Sequence, residues 1–279
     1  MPADELSLMA DRLEAAAAEP ASCIDQVQVI RETASTQDAA RAAWRAGSSL
    51  LVVAGRQTAG RGRLGRAWAD TSDKGLAATF ALDAAALRPH DHGARAHPER
   101  EDGRFAIAAG LAAIRTAERL LEHAGLQSPL ALRWPNDVVM RAERHRKLAG
   151  VLIERSGDLV LIGIGMNIAQ RETDWPEDLR ARAISIADLG LPITPTMRAD
   201  AAVTLLRQLS RALIEPAEER AWAWRSRDCL TGATATFEHA GARTTGTVER
   251  IEPGGAIRLR TEDGRVVSLP ALTTSLVVQ

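Results

Sequence analysis

Residues 147–168 read KLAGVLIERSGDLVLIGIGMNI. Two apolar runs, 148–155 and 158–166, flank Ser156-Gly157-Asp158, residue types suited to a tight hairpin turn. The segment predicts an antiparallel strand pair. Working outward, 50–54 (LLVVA) is a continuous apolar run, the pattern of a strand inside a sheet. Residues 75–82 and 130–134 read as further strands, and 27–30 is short and β-like. Between these lie helical patterns. In 3–19, Leu6, Met9, Leu13 and Ala16 share one face before Pro20 stops the run. Thr33, Ser35 and Thr36 precede a capped helix over 38–46, with Gly47 after its end. Residues 105–124 form a strong alanine- and leucine-rich helix closed by Gly125, and helical patterning returns over 197–225. The stretch 84–103 is polar, carries prolines and glycines, has no period, and reads as a surface loop.

After Cys229 the pattern changes. Short strands are expected at 233–239, 243–251, 256–261 and 266–270, with Gly254-Gly255 and Asp263-Gly264 at hairpin turns. The whole predicts an α+β fold: a mixed sheet with helices packed on one face, and a small C-terminal β-barrel. The expected division is an N-terminal helical extension over 1–28, a main domain over 29–228, and the barrel over 229–279.

Composition narrows the function. A net charge of -1 gives no global attraction to nucleic acid or anionic membrane, so any basic function must be local. Cys23 and Cys229 lie far apart and form neither a CxxC nor a disulfide framework, which fits a reducing cytoplasm. The N-terminus lacks the basic and apolar regions of a signal peptide, and no run approaches the roughly 18 apolar residues that span a bilayer. No membrane association is expected.

Four segments carry chemistry. Gly60-Arg61-Gly62-Arg63-Leu64-Gly65-Arg66-Ala67-Trp68 alternates residues that permit close backbone approach with planar, permanently charged donors. It can wrap an anionic ligand, or be a solvated basic turn or a nucleic-acid patch. It is neither a GxxxxGK[ST] loop nor a dinucleotide fingerprint. Arg133-Trp134-Pro135-Asn136-Asp137 is a polar corner at a strand end. Its aspartate can hold a metal, take a proton, orient an amine, or close an Asx turn. Lys147 stands at the mouth of an apolar strand, placed for a carboxylate or phosphate, or snorkelling to solvent. Gly163 and Gly165 mark close backbone approach or a strand kink, and Asn167 follows them, placed to read a base edge.

Taken in order, GRGRxGRxW, [KR]WPND, KLAG[IV]LxE and GIGxN, the four segments resemble the biotin–protein ligases from about Glu32 onward. Ser35-Thr36 and Gln57 match further elements of that family. The resemblance implies a class II aminoacyl-tRNA synthetase-like catalytic fold followed by an SH3-like barrel. It also implies a two-step reaction with ATP, Mg²⁺ and biotin: formation of biotinyl-5′-adenylate, then transfer of biotin to a lysine of a biotin carboxyl carrier protein domain. On this basis Ser35, Thr36 and Gln57 hydrogen-bond the ureido group. Arg61 and Arg63, with the backbone of Gly60 and Gly62, bind carboxylate and phosphates, and Arg66 supports ATP. Trp68 covers the ligand, Lys147 bridges carboxylate and α-phosphate beside Gly150, and Asn136 and Asn167 serve the nucleotide. Asp137 accepts a proton from, or aligns, the carrier lysine. Two positions depart from the family pattern. Arg133 replaces the usual lysine, and Gln37-Asp38 stands where many relatives have asparagine.

Further expectations follow. The 60–66 loop is disordered without ligand, because its arginines have no evident local partners. The basic segment 140–146 steers the carrier or ATP, or is a solvated hairpin tip. His90, His92 and His97 sit in the polar loop and read as solvated rather than as a metal cluster. The residues before Glu32 suffice for one helix, so no specific DNA binding is expected. Family members often dimerise through sheet edges, which makes a homodimer an open possibility. The competing readings are a lipoate or octanoate ligase or transferase of the same fold, and an arginine-rich nucleic-acid-binding module. The near-neutral charge and the lack of interleaved aromatics oppose the second.

Overall fold

The computed structural model describes residues 3–69, 73–86, 98–252 and 255–277. The central sheet holds β1 (Gln26–Thr33), β2 (Leu50–Gln57), β3 (Leu76–Asp83), β4 (Leu130–Arg133), β5 (Asp137–Met140), β6 (Lys147–Ser156) and β7 (Leu159–Met166). Their order is β1-β2-β3-β7-β6-β5-β4. β1 and β2 run parallel, and the remaining neighbours pair antiparallel. The sheet is mixed, as expected, and the 147–168 hairpin lies at its centre.

The helices are α1 (Ala3–Ala17), α2 (Thr36–Ala43), α3 (Pro98–His123), α4 (Glu177–Arg180), α5 (Met197–Ile214) and α6 (Ala217–Arg225). Alternation along the strands sends successive side chains to opposite faces. Leu51, Val53, Phe80, Ile162 and Ile164 meet Met9 and Leu13 of α1, Leu111 and Ile114 of α3, and Leu205 and Leu209 of α5 in one core. Their strand neighbours Leu50, Val52, Ala81, Leu159 and Leu161 pack with Ala40 of α2 in another. The expectation of helices on one face is therefore corrected: α2 covers part of the second. That is why the 50–54 run is apolar without interruption.

Two helix boundaries differ from the sequence reading. The long helix opens at Pro98, not near residue 105. Proline is tolerated in the first helical turn, where its missing N–H has no partner to lose, so the polar 98–104 stretch joins the helix rather than the loop. The helical pattern over 197–225 is two helices. The Glu215 N–H still reaches the Arg211 carbonyl, but Pro216 cannot continue the ladder and α6 starts afresh. His90, His92 and His97 lie outside the described residues. Among the described residues no helix is long and apolar enough to cross a membrane.

The C-terminal residues form β8 (Thr234–His239), β9 (Ala242–Ile251), β10 (Ala256–Arg260), β11 (Val266–Pro270) and β12 (Thr274–Val277), an antiparallel sheet in the order β11-β10-β9-β8-β12. This agrees with a small barrel, with two strands beyond the sequence reading: β12 here and β5 in the main sheet. The small sheet is seated on the polar corner of the large one. Trp134 and Phe237 are both fully buried and meet edge to face, ring centroids 5.9 Å apart at 73°. The outer edge of β4 is occupied as well: Leu132 donates to the Arg227 carbonyl and accepts from the Cys229 N–H.

Phe237→Ala removes the partner of Trp134 and opens a cavity between the two sheets. We expect it to destabilise the protein by about 3–4 kcal/mol, read from urea denaturation.

Candidate active site

Directly opposed residues of antiparallel strands share a face. One transverse row on the α2 side of the sheet runs Ala54, Ala77, Gly165, Gly150 and Asp137. Four of these five residues extend no further than a methyl group, so the row is a hollow in an otherwise covered sheet. The adjacent row runs Val52, Thr79, Gly163 and Leu152. The glycines admit particular side chains. A methyl group at Gly165 would fall 2.6 Å from Trp68 Cζ2, at Gly150 2.6 Å from Lys147 Nζ, and at Gly163 2.7 Å from Gln37 Nε2. Between the two readings of these glycines, close approach is what the structure shows, and the approaching groups are the protein's own.

The 60–68 loop folds over this hollow. Gly62 N–H donates to the Arg66 carbonyl at 2.7 Å and Trp68 N–H to the Gly60 carbonyl at 2.9 Å. Gly60 thus acts by holding Trp68. Leu64 and Gly65 turn the chain at φ 55° and 73°. The expectation that the loop's arginines lack local partners is corrected, and with it the premise for disorder. Arg61 forms a two-pronged pair with Asp38 at 2.6 and 2.8 Å and lies 3.5 Å from Glu154, which also accepts from Arg41 at 2.7 Å. Arg63 is different. Its hydrogen-bond partners among the described residues, Asn136 Oδ1 and the Ala271 carbonyl, are both neutral. Burial makes its positive form costly and pulls its pKa below the ordinary guanidinium value. It is a cation placed to receive an anion. Arg66 is exposed beside it.

Lys147 points the other way along the same wall. Its Nζ lies 2.6 Å from Asp137 Oδ1 and 5.3 Å from the centre of the Trp68 ring. Arg133 donates to Asp137 Oδ2 at 2.7 Å and, with its other arm, to the Arg144 carbonyl on the β5–β6 tip. Burial alone would push the Asp137 carboxyl up, but Lys147 and Arg133 outweigh it and hold it below its ordinary 3.8. Asp137 is thus paired inside the protein with both neighbouring cations.

Asn136 donates to the Val151 carbonyl and accepts from Arg63. Asn167 is 4% exposed, and its amide donates to the carbonyls of Lys147 at 3.0 Å and Ile184 at 3.1 Å. With both amide hydrogens engaged, it clamps the backbone that carries Lys147, and only its side-chain carbonyl is left to meet a base. Ser35 occupies the N-cap of α2 without a side-chain cap bond. The residue lines the hollow instead. Gln57 Oε1 accepts from Thr36 N–H at 2.8 Å and Thr36 Oγ1 at 3.0 Å, and Thr79 Oγ1 donates to Thr36 Oγ1 at 2.8 Å.

These groups bound two adjoining cavities. The inner is lined by Ser35, Thr36, Gln37, Gln57, Arg61 and Gly150 among others. The outer takes in Arg66, Asp137, Asn167, Arg182 and Leu276. Gly62, Arg63, Trp68, Asn136 and Lys147 border both. The structure therefore brings the sequence-selected residues together, with Gly60 one step back from the wall. Sequence reasoning missed Gln37 as a wall residue, along with Trp175, Arg182, Ser275 and Leu276. Of these only Gln37 had a signal, its departure from asparagine.

The family model described as the biotin/lipoate A/B protein ligase family matches residues 27–167. The chain belongs to this family. It is 31% identical to the biotin–[acetyl-CoA-carboxylase] ligase of Mycobacterium tuberculosis over 234 residues, 82% of this chain and 76% of that one. It is 30% identical to the Paracoccus denitrificans ligase of the same name over 236 residues, 80% of this chain and 88% of that one. Among solved structures, it is similar to the biotin protein ligase of Aquifex aeolicus in complex with biotin and ATP. The TM-score is 0.72 at 26% identity, covering 92% of this chain and all of that one.

Asp137→Asn leaves the buried Arg133 and the partly exposed Lys147 without their counter-charge, a loss of about 3 kcal/mol. The carboxyl's folded pKa is depressed, so its contribution is complete above the unfolded value and fades as pH falls through the folded one. The stability gap between wild type and Asp137→Asn should stay constant from neutral pH down to about 5 and close only below 3.8. Urea titrations across that range would show it.

Proposed function

We propose that this chain attaches biotin to a carrier protein, with the carboxylate and the α-phosphate of ATP meeting between the two cavities. The observation that carries this reading is that Arg63 and Lys147, both cationic, border the inner and outer cavities alike. An acid in the inner cavity and a triphosphate in the outer one would place their reacting anions against these two groups. Like charges otherwise keep carboxylate and phosphate apart, and fixed cations remove that barrier where charge develops.

In the first step a biotin carboxylate oxygen attacks the α-phosphorus. The bond to the bridging oxygen breaks and pyrophosphate leaves, giving biotinyl-5′-adenylate. Mg²⁺ bound with the nucleotide would offset part of the triphosphate's charge. In the second step the carrier lysine's neutral amine attacks the acyl carbon, the bond from that carbon to the phosphate oxygen breaks, AMP leaves, and the proton released from the nitrogen passes to water. Asp137 holds Lys147 in place throughout, and the loop with Trp68 shields the anhydride from water. The polar inner end formed by Ser35, Thr36 and Gln57 suits a cyclic urea better than the wholly apolar tail of octanoate. The carrier is expected to be the biotin carboxyl carrier domain of a carboxylase.

ATP–pyrophosphate exchange with biotin, lipoate or octanoate as sole acid tests the reading. Exchange that requires biotin is expected, and Lys147→Ala should lower it by about 100-fold or more. Exchange only with lipoate or octanoate would move the chain to the sister branch of its family. No exchange with any acid would overturn the reading.

A further inference from the structure

One residue of the inner cavity's wall, Gln37, carries a buried polar atom without a partner among the described residues. Gln37, at the start of α2, is 4% exposed, and its Oε1 is buried without a hydrogen-bond partner. The amide is not free to flip, because its Nε2 donates to the Leu152 carbonyl at 3.0 Å. Gly163 leaves the space in which that amide lies. A buried carbonyl without a donor costs about 1–3 kcal/mol, so its retention in a cavity wall calls for a donor from elsewhere.

The neighbouring polar groups are already committed to one another. Gln57 Oε1 takes two hydrogens from Thr36, and Thr36 Oγ1 takes one from Thr79. A cyclic urea presents two N–H donors and one carbonyl, so it needs acceptors at this end of the cavity. Gln37 Oε1 is the acceptor with no hydrogen of its own to receive. A dithiolane or an alkyl tail brings no N–H and would bury the carbonyl unpaired.

We propose that Gln37 is a specificity-determining residue of this ligase, accepting a ureido N–H of biotin through Oε1 and thereby disfavouring acids without such a donor. The inference rests on the inner cavity being the biotin site. The fixed amide explains why glutamine serves here. Its side chain reaches across Gly163 to Leu152, and the shorter asparagine of many relatives would have to meet the ligand differently.

The test is biotin-dependent ATP–pyrophosphate exchange by Gln37→Met, which keeps the length and shape but has no acceptor. KM for biotin should rise about tenfold, with the larger part of the loss in KM rather than kcat and with KM for ATP little changed. Desthiobiotin, which keeps the urea and lacks the ring sulfur, should lose as much as biotin. Octanoate should compete better against biotin than it does in wild type. A KM for biotin within about twofold of wild type would overturn the inference. If Gln37→Met does not fold, Gly163→Ala decides. Its methyl pushes on the flexible end of Gln37, 2.7 Å away, and should reproduce the rise in KM. An unchanged KM there would overturn the proposal equally. Wild-type protein that exchanges with lipoate or octanoate but not with biotin would remove the reading beneath it, and the inference with it. Biotin-dependent exchange in wild type together with an indifferent Gln37→Met would remove the inference alone.

Discussion

A sheet covered on both faces has no room for a ligand unless some of its residues lack side chains. Here the missing volume is concentrated in one transverse row, Ala54, Ala77, Gly165 and Gly150, across four neighbouring strands. The same strands carry Leu50, Val52, Leu159 and Leu161 a few residues away, where α2 packs on them. The hollow thus begins where the α2 contact ends, and the first turn of α2 becomes its wall. Trp68, Lys147 and Gln37 reach their positions through the space that the glycines leave. The 60–68 loop needs that hollow to close onto, and the two cavities need the loop to divide them.

Electrostatic arrangement follows from the same floor. Asp137 ends the row and is held ionised by Lys147 and Arg133 on either side. Arg61 is balanced by Asp38 and Glu154. Arg63 donates to neutral oxygens alone among the described residues, and burial lowers its pKa. Of these cations Arg63 has the most to gain from an incoming anion, because its burial cost is the least compensated. Lys147 can exchange a share of its attraction to Asp137 for a ligand oxygen without leaving the wall.

The C-terminal sheet is part of this machinery. Phe237 packs on Trp134, one turn from Asn136 and Asp137, and the Ala271 carbonyl receives Arg63. Ser275 and Leu276 of β12 line the outer cavity. A rearrangement of the small sheet would therefore be felt at both the polar corner and the loop. The physical link is direct packing and hydrogen bonding.

Much of this was legible in the linear chain. Local periodicity marked the 147–168 hairpin, the buried run at 50–54 and the apolar face of α1, because each depends on a repeat that neighbouring residues carry themselves. The site residues were legible through motif order: glycine beside arginine at 60–66, the polar corner at 135–137, the lysine at 147. Other features turned on a single proline or on contacts distant in sequence. Proline tolerance at a helix start moved the α3 boundary to Pro98, and Pro216 divided a continuous apolar pattern into two helices. α2 and α3 both follow amphipathic logic, yet only the strand register decides that they lie on opposite faces. The purpose of Gly163, Gly165 and Gly150 was ambiguous because a missing side chain says nothing about what fills its place. The same holds for charge: Lys, Arg and Asp are visible in sequence. Which cation Asp137 neutralises, and which one is left facing the cavity, depends on distances that only the packed chain creates.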